Sequence, residues 1–151
     1  MIKKSRLLIA VLLILVTIGA CTAARFLIPP SIHPYQKQFG FSLDNIKTEI
    51  TDHVKIEAFR DPSSAYIVKM SGDIQGSDFD PATMIKGVSA SVTTIVNMVN
   101  ADLKAEGKQP LFTLEQDGDY YCRQYKSNTD SSTFTVIYDH KKQLYYMIWA
   151  G

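Results

Sequence analysis

Setting aside its first thirty residues, this 151-residue chain, 46% apolar and 21% charged, leaves about 120, enough for one domain with one core and too few for two typical ones. All fifteen acidic residues lie beyond residue 30, whereas four of the sixteen basic ones, Lys3, Lys4, Arg6 and Arg25, precede it; the remainder carries twelve against fifteen, a net charge of −3. A mildly acidic domain without a lysine or arginine cluster lacks the footprint that a phosphate backbone demands, so no nucleic-acid partner is expected.

Residues 1 to 6 hold three positive charges, and Leu7 to Ile18 holds none. Apolar character continues to Ala24 and, past Arg25, to Ile28, approaching the ~20 residues of a spanning helix, with Arg25 able to snorkel toward headgroups. Residues 1–28 therefore read as a membrane anchor or signal segment that meets the membrane through Leu7 to Ala24. Ile18-Gly19-Ala20-Cys21 resembles a bacterial lipobox, which implies acylation of Cys21 as an alternative. Thr22-Ala23-Ala24 offers small residues for ordinary signal cleavage as a third. Positive charge is heavier before the apolar stretch than after it, so the domain faces outward in each case. The expected location is the cell membrane, single pass, with the C-terminal domain outside; the alternatives are a lipoprotein or a protein secreted into the periplasm or cell exterior.

Pro29, Pro30 and Pro34 predict an extended spacer over 29–41 with no helix, because proline fixes φ and restricts the residue before it. A single extracytoplasmic domain is expected over 42–151. Ser42 to Ile50 reads as a short helix with Leu43, Ile46 and Ile50 on one side, although Ile46, Thr48 and Ile50 also alternate as a strand would. Val54 to Phe59 and Tyr66 to Met70 form a hairpin around Asp61-Pro62-Ser63. Ser71 to Asp80 is a loop; its Asp73, Asp78 and Asp80 lack the ligand spacing and closing glutamate of a calcium loop.

Asp80 to Gly107 reads as one long helix with Ile85, Val88, Val92, Val96, Val99 and Leu103 on one face. Asp80 caps it, Pro81 starts it, Gly107 closes it and Pro110 forbids continuation. Beyond it the chain is all strand: Leu111 to Gln116 and Tyr120 to Lys126 around an Asp117-Gly118 turn, then Thr133 to Tyr138 and Leu144 to Trp149. The fold class is α+β, one long helix packed on an antiparallel sheet in the order β-β-α-β-β-β-β, preceded by the N-terminal transmembrane or signal helix.

Cys122, His140 and Asp139 have the residue types of a thiol nucleophile, base and orienter, but nothing nearby in the sequence lowers the thiol pKa. No catalytic residues are assigned and no enzyme is expected. His33, His53 and His140 are too scattered to share a metal, and no phosphate loop is present, so neither metal nor cofactor is expected. The last strand is apolar on both alternating sets, Leu144, Tyr146 and Ile148 against Tyr145, Met147 and Trp149, so its second face must be covered. The segment Ser31 to Ile50 folding back would cover it; so would a partner held by Tyr121, Arg123, Tyr125, Tyr145 and Trp149, the residue types that dominate binding interfaces. The expected function is a membrane-tethered, exported, non-enzymatic domain that binds another envelope protein or component. A small-ligand sensor or carrier with a pocket between helix and sheet is the second reading, and a thiol-dependent or hydrolytic enzyme the third.

Overall fold

The computed structural model describes residues 30–56 and 63–151. The anchor expected over 1–28, Cys21 within it, and the turn residues Asp61 and Pro62 lie outside the described residues. Among the described residues no helix is long and apolar enough to cross a membrane. The chain runs α1 (Tyr35–Phe39), β1 (Ile46–Ile56), β2 (Ser63–Gly72), a 3-10 turn (Pro81–Thr83), β3 (Ile85–Lys86), α2 (Ala90–Ala105), β4 (Tyr120–Lys126), β5 (Thr133–Asp139) and β6 (Leu144–Ala150). All six strands form one antiparallel sheet in the spatial order β1-β2-β6-β5-β4-β3.

The class is α+β, but the order of helices and strands along the chain is α-β-β-β-α-β-β-β. Helix α2 is the main reason. It spans sixteen residues, not the full stretch from Asp80, because Ser89 caps it: the Ser89 backbone is extended and its hydroxyl accepts from the Val92 amide. Asp80 caps only the 3-10 turn, accepting from Ala82 N at 2.9 Å. Between the two caps, Ile85 and Lys86 pair with Cys122 and Tyr121 as β3, and Gly87 turns the chain with a φ of 93°. Val88 still packs with the helix stripe, whereas Ile85 is 75% exposed.

Two further expectations are corrected. Ser42 to Ile50 is not helical: Ile46 opens β1, whose register on β2 runs from Ile46↔Gly72 to Ile56↔Ser63 with a bulge between Ile50 and Asp52. β1 is an edge strand, and the bulge with exposed Lys47, Glu49, Asp52 and Lys55 guards it against pairing with other chains. Gly72 is required at its far end, since a Cβ there would collide with the carbonyl oxygen of Asn45. Leu111 to Gln116 is not a strand either. Asn100 donates from the helix to Phe112 O at 3.1 Å and the Tyr120 hydroxyl accepts from Glu115 N at 2.9 Å, so this segment spends its polar groups on neighbours other than a strand. Phe112 stacks on Tyr146 with ring centroids 4.3 Å apart, and neither Asp117 nor Gly118 takes the positive φ of the expected turn.

The sheet is buried on both faces. Val92, Val96, Val99 and Leu103 of α2 pack on Ile56, Ile137, Tyr146 and Ile148. On the other face Ile32, Phe39, Phe41 and Leu43 pack with Val68, Phe134, Val136, Tyr145 and Met147. The segment 31–43 is thus a strap across the second face. It contains a helix where the prolines predicted none: Pro34 occupies the position before the first helical residue, where a missing N–H leaves no bond unmade, and Gly40 closes α1 with a φ of 72°. The compact unit accordingly starts at Ser31, eleven residues before Ser42.

Candidate functional site

The five residues expected to bind a partner share one sheet face, but most of their polar groups are engaged within the chain. Arg123 donates from Nη1 to Asp78 O at 2.8 Å and from Nη2 to Thr83 O and Thr83 Oγ1, with the Asp78 carboxylate 3.7 Å away. The Tyr125 hydroxyl donates to the same Asp78 carbonyl at 3.0 Å, and the Tyr145 hydroxyl to Phe79 O at 2.9 Å. These three side chains fasten the 73–84 loop onto the sheet. Tyr145 is 3% exposed, and its hydroxyl pKa is pushed up by burial. Trp149 is half-buried, stacked on Tyr35 with centroids 6.1 Å apart. Its Nε1 has no hydrogen-bond partner among the described residues. Tyr121 is half-buried too, with the Lys86 ammonium 5.7 Å from its ring centroid and the His140 ring at 6.2 Å.

The strap is secured by polar contacts as well as by its apolar side chains. Gln38 Nε2 donates to Ser132 Oγ at 3.0 Å and Asp130 Oδ2 at 3.2 Å, and Asn128 N donates to Gln38 O at 3.0 Å. The Tyr35 and Tyr66 hydroxyls lie 3.0 Å apart beneath it.

Cys122 sits in mid-strand between Ile85 and Ile137, 4% exposed, and burial pushes its thiol up to about 11. His140 lies in the exposed β5–β6 turn, its ring against Tyr121 and Tyr138. A thiol in that state supplies almost no thiolate near neutral pH. Among the described residues no group of three or more His, Cys, Asp or Glu side chains is placed to hold a metal.

Two hollows are lined in part by Arg123. One, of about 500 Å³, is polar and lined by Ser42, Asp44, Ser77, Asp78 and Arg123, of which Asp78 and Arg123 are already paired. The other, of about 180 Å³, lies between Ile85, Ser89, Val92 and Cys122, and is below the ~300–1,000 Å³ of small-molecule sites.

The outer face of α2 is the surface that sequence reasoning missed. From Gly87 to Ala101 no residue is charged, yet Ser91, Thr94, Asn97, Met98 and Ala101 face solvent. Thr93 and Thr94 turn their hydroxyls back to Ser89 O and Ala90 O at 3.1 and 2.9 Å, which leaves their methyl groups outward. Met98 is 56% exposed, and with Ile85 it makes the pair of exposed large hydrophobic residues among those described. The signal was present in the sequence as a fifteen-residue run without charge, but the apolar stripe of the same helix masks it. No family model, curated protein or solved structure matches this chain.

Proposed function

We propose that this protein is an exported, membrane-tethered, non-enzymatic domain that binds another envelope protein through the outer face of α2 and the adjoining β3 edge. The observation that carries the reading is the uncharged, methyl-rich outer face of α2 with exposed Met98, together with exposed Ile85 on β3, since depletion of charge marks the core of a protein–protein interface. A solvated surface helix ordinarily carries charge on its outer side. The tether is supported by the charge asymmetry and apolar length of residues 1–28. The buried, protonated Cys122 supports a binding role over thiol chemistry. Because the aromatic face lies under the strap and the 73–84 loop, partner binding is assigned to α2 in place of Tyr121, Arg123, Tyr125, Tyr145 and Trp149.

A photoreactive amino acid installed at Met98 in the full chain tests this in intact cells. A discrete protein adduct at Met98, lacking when the same group replaces exposed Lys69, is the expected result. Uniform labelling at both positions, or no adduct at Met98, overturns the assignment. The tether is checked separately by carbonate washing of membranes, which should leave the chain in the pellet.

A further inference from the structure

The two ends of the sheet differ in chemistry. Register places Ile56, Ser63, Ala150, Thr133 and Lys126 in one row, and the chain enters the domain at this end, where Tyr35 stacks on Trp149 and Gln38 binds the β4–β5 turn. The Lys108 ammonium reaches Lys55 O at 3.4 Å, so the loop after α2 ends here too. Among the described residues the exposed charges of this entry end are Lys37, Lys55, Lys108 and Lys126, against Glu106 and Asp130, with the Lys108 ammonium 2.6 Å from the Glu106 carboxylate. At the opposite end, among the described residues, Asp44, Asp73, Asp78, Asp80, Glu115, Asp117 and Asp119 outnumber Lys47, Lys86, Arg123, Lys141 and Lys142, with Asp78, Glu115, Asp117 and Asp119 each paired to a cation. Trp149 is the chain's one tryptophan.

We propose that the entry end of this domain rests on an anionic lipid headgroup surface, with Tyr35 and Trp149 at headgroup depth and Lys37 and Lys126 over the phosphates. The proposal rests on the tethered reading given above. In that reading the apolar stretch closes at Ile28 and Ile32 is already 0% exposed in the core, four residues later, at most about 14 Å of extended chain. A domain on so short a lead stays beside the bilayer, and its contact end is the one at which the lead enters. Tyrosine and tryptophan are enriched at the membrane–water interface; here they offer half-buried rings, since the Trp149 Nε1 is buried and the Tyr35 hydroxyl meets Tyr66, and lysines are drawn to an anionic leaflet within a Debye length. The acidic end is repelled by the same field, so charge and lead select the same orientation.

The test uses the full chain reconstituted into vesicles of phosphatidylcholine and phosphatidylglycerol, with and without lipids brominated near the headgroup. Emission of Trp149, read without interference from another tryptophan, should be lost in the brominated vesicles. Quenching should be weaker for the double variant Lys37→Glu, Lys126→Glu, both of whose parent side chains are exposed. Release of the chain by carbonate would overturn the tether, and this contact with it. Retention of the chain with equal Trp149 emission in brominated and plain vesicles overturns the headgroup contact alone, as does quenching that the lysine variant leaves unchanged.

Discussion

Individual side chains in this domain act mainly as fasteners, and their chemistry follows from burial. Cys122 is 4% exposed and carries a thiol pushed up to about 11 by desolvation, so at neutral pH it is a small apolar filler between Ile85 and Ile137. Iodoacetamide followed by mass spectrometry should leave Cys122 unmodified in the native domain and modify it in denaturant; rapid native labelling would contradict this. Trp149 is held by stacking on Tyr35 and by the packing beneath the strap. Trp149→Ala should therefore lower stability by about 3 kcal/mol, toward the lower range for aromatic truncation in a core, as read from a chemical melt. A melt indistinguishable from the parent would mean that the strap does not need this ring. Arg123 and Tyr125 were legible as unusual residues but not as ties, because the carbonyls they grip, at Asp78 and Thr83, come from a loop about 40 positions away in sequence.

Among the elements, α2 and the strap carry the two halves of the core. Val92 is 1% exposed in the middle of the helix stripe. Val92→Asp would bury an unpaired carboxylate at a cost of several kcal/mol, comparable with the ~5–15 kcal/mol that holds a small domain together, so the variant should not fold. A native circular dichroism spectrum and melt for that variant would show the stripe to be packed otherwise. The strap is held more lightly at its polar edge. The Asp130 carboxyl lies below its ordinary value of 3.8, chiefly through the Ser132 hydroxyl and amide, and the stability it lends is present above that value and lost as pH falls through the lower, folded one. Acid should thus loosen the β4–β5 turn that Gln38 grips, and hydrogen exchange at the Ser132 amide measured across that range would show it.

For the molecule as a whole, pH dependence is also expected on the alkaline side. Cys122 rises from 9.0 to about 11 on folding, and burial also raises the hydroxyls of Tyr35 and Tyr145 above their ordinary value of 10.0. A group whose folded pKa is raised contributes stability that is complete below its unfolded pKa and is lost as pH climbs toward the folded one. Stability should therefore hold up to about pH 9 and decline progressively above it. Replacing Tyr35 by Phe should flatten part of the decline; an unchanged alkaline profile in that variant would remove Tyr35 from the explanation.

What the amino-acid sequence determined by itself is what short-range periodicity and caps can encode. The inner face of α2, the strands β4, β5 and β6, and the division of Leu144, Tyr146 and Ile148 from Tyr145, Met147 and Trp149 all follow from spacings of 3.6 and 2. The tertiary structure alone decided between local signals of equal merit. Asp80 and Ser89 are both sound helix caps, and the pairing of Ile85 with Cys122 takes the intervening residues out of the helix. Ile46, Thr48 and Ile50 suit a strand or a helix until β2 supplies the ladder that selects a strand. The covering of the second sheet face was decided in the same way, because Ile32, Phe39 and Phe41 reach it from a distant stretch whose prolines speak only for the local backbone.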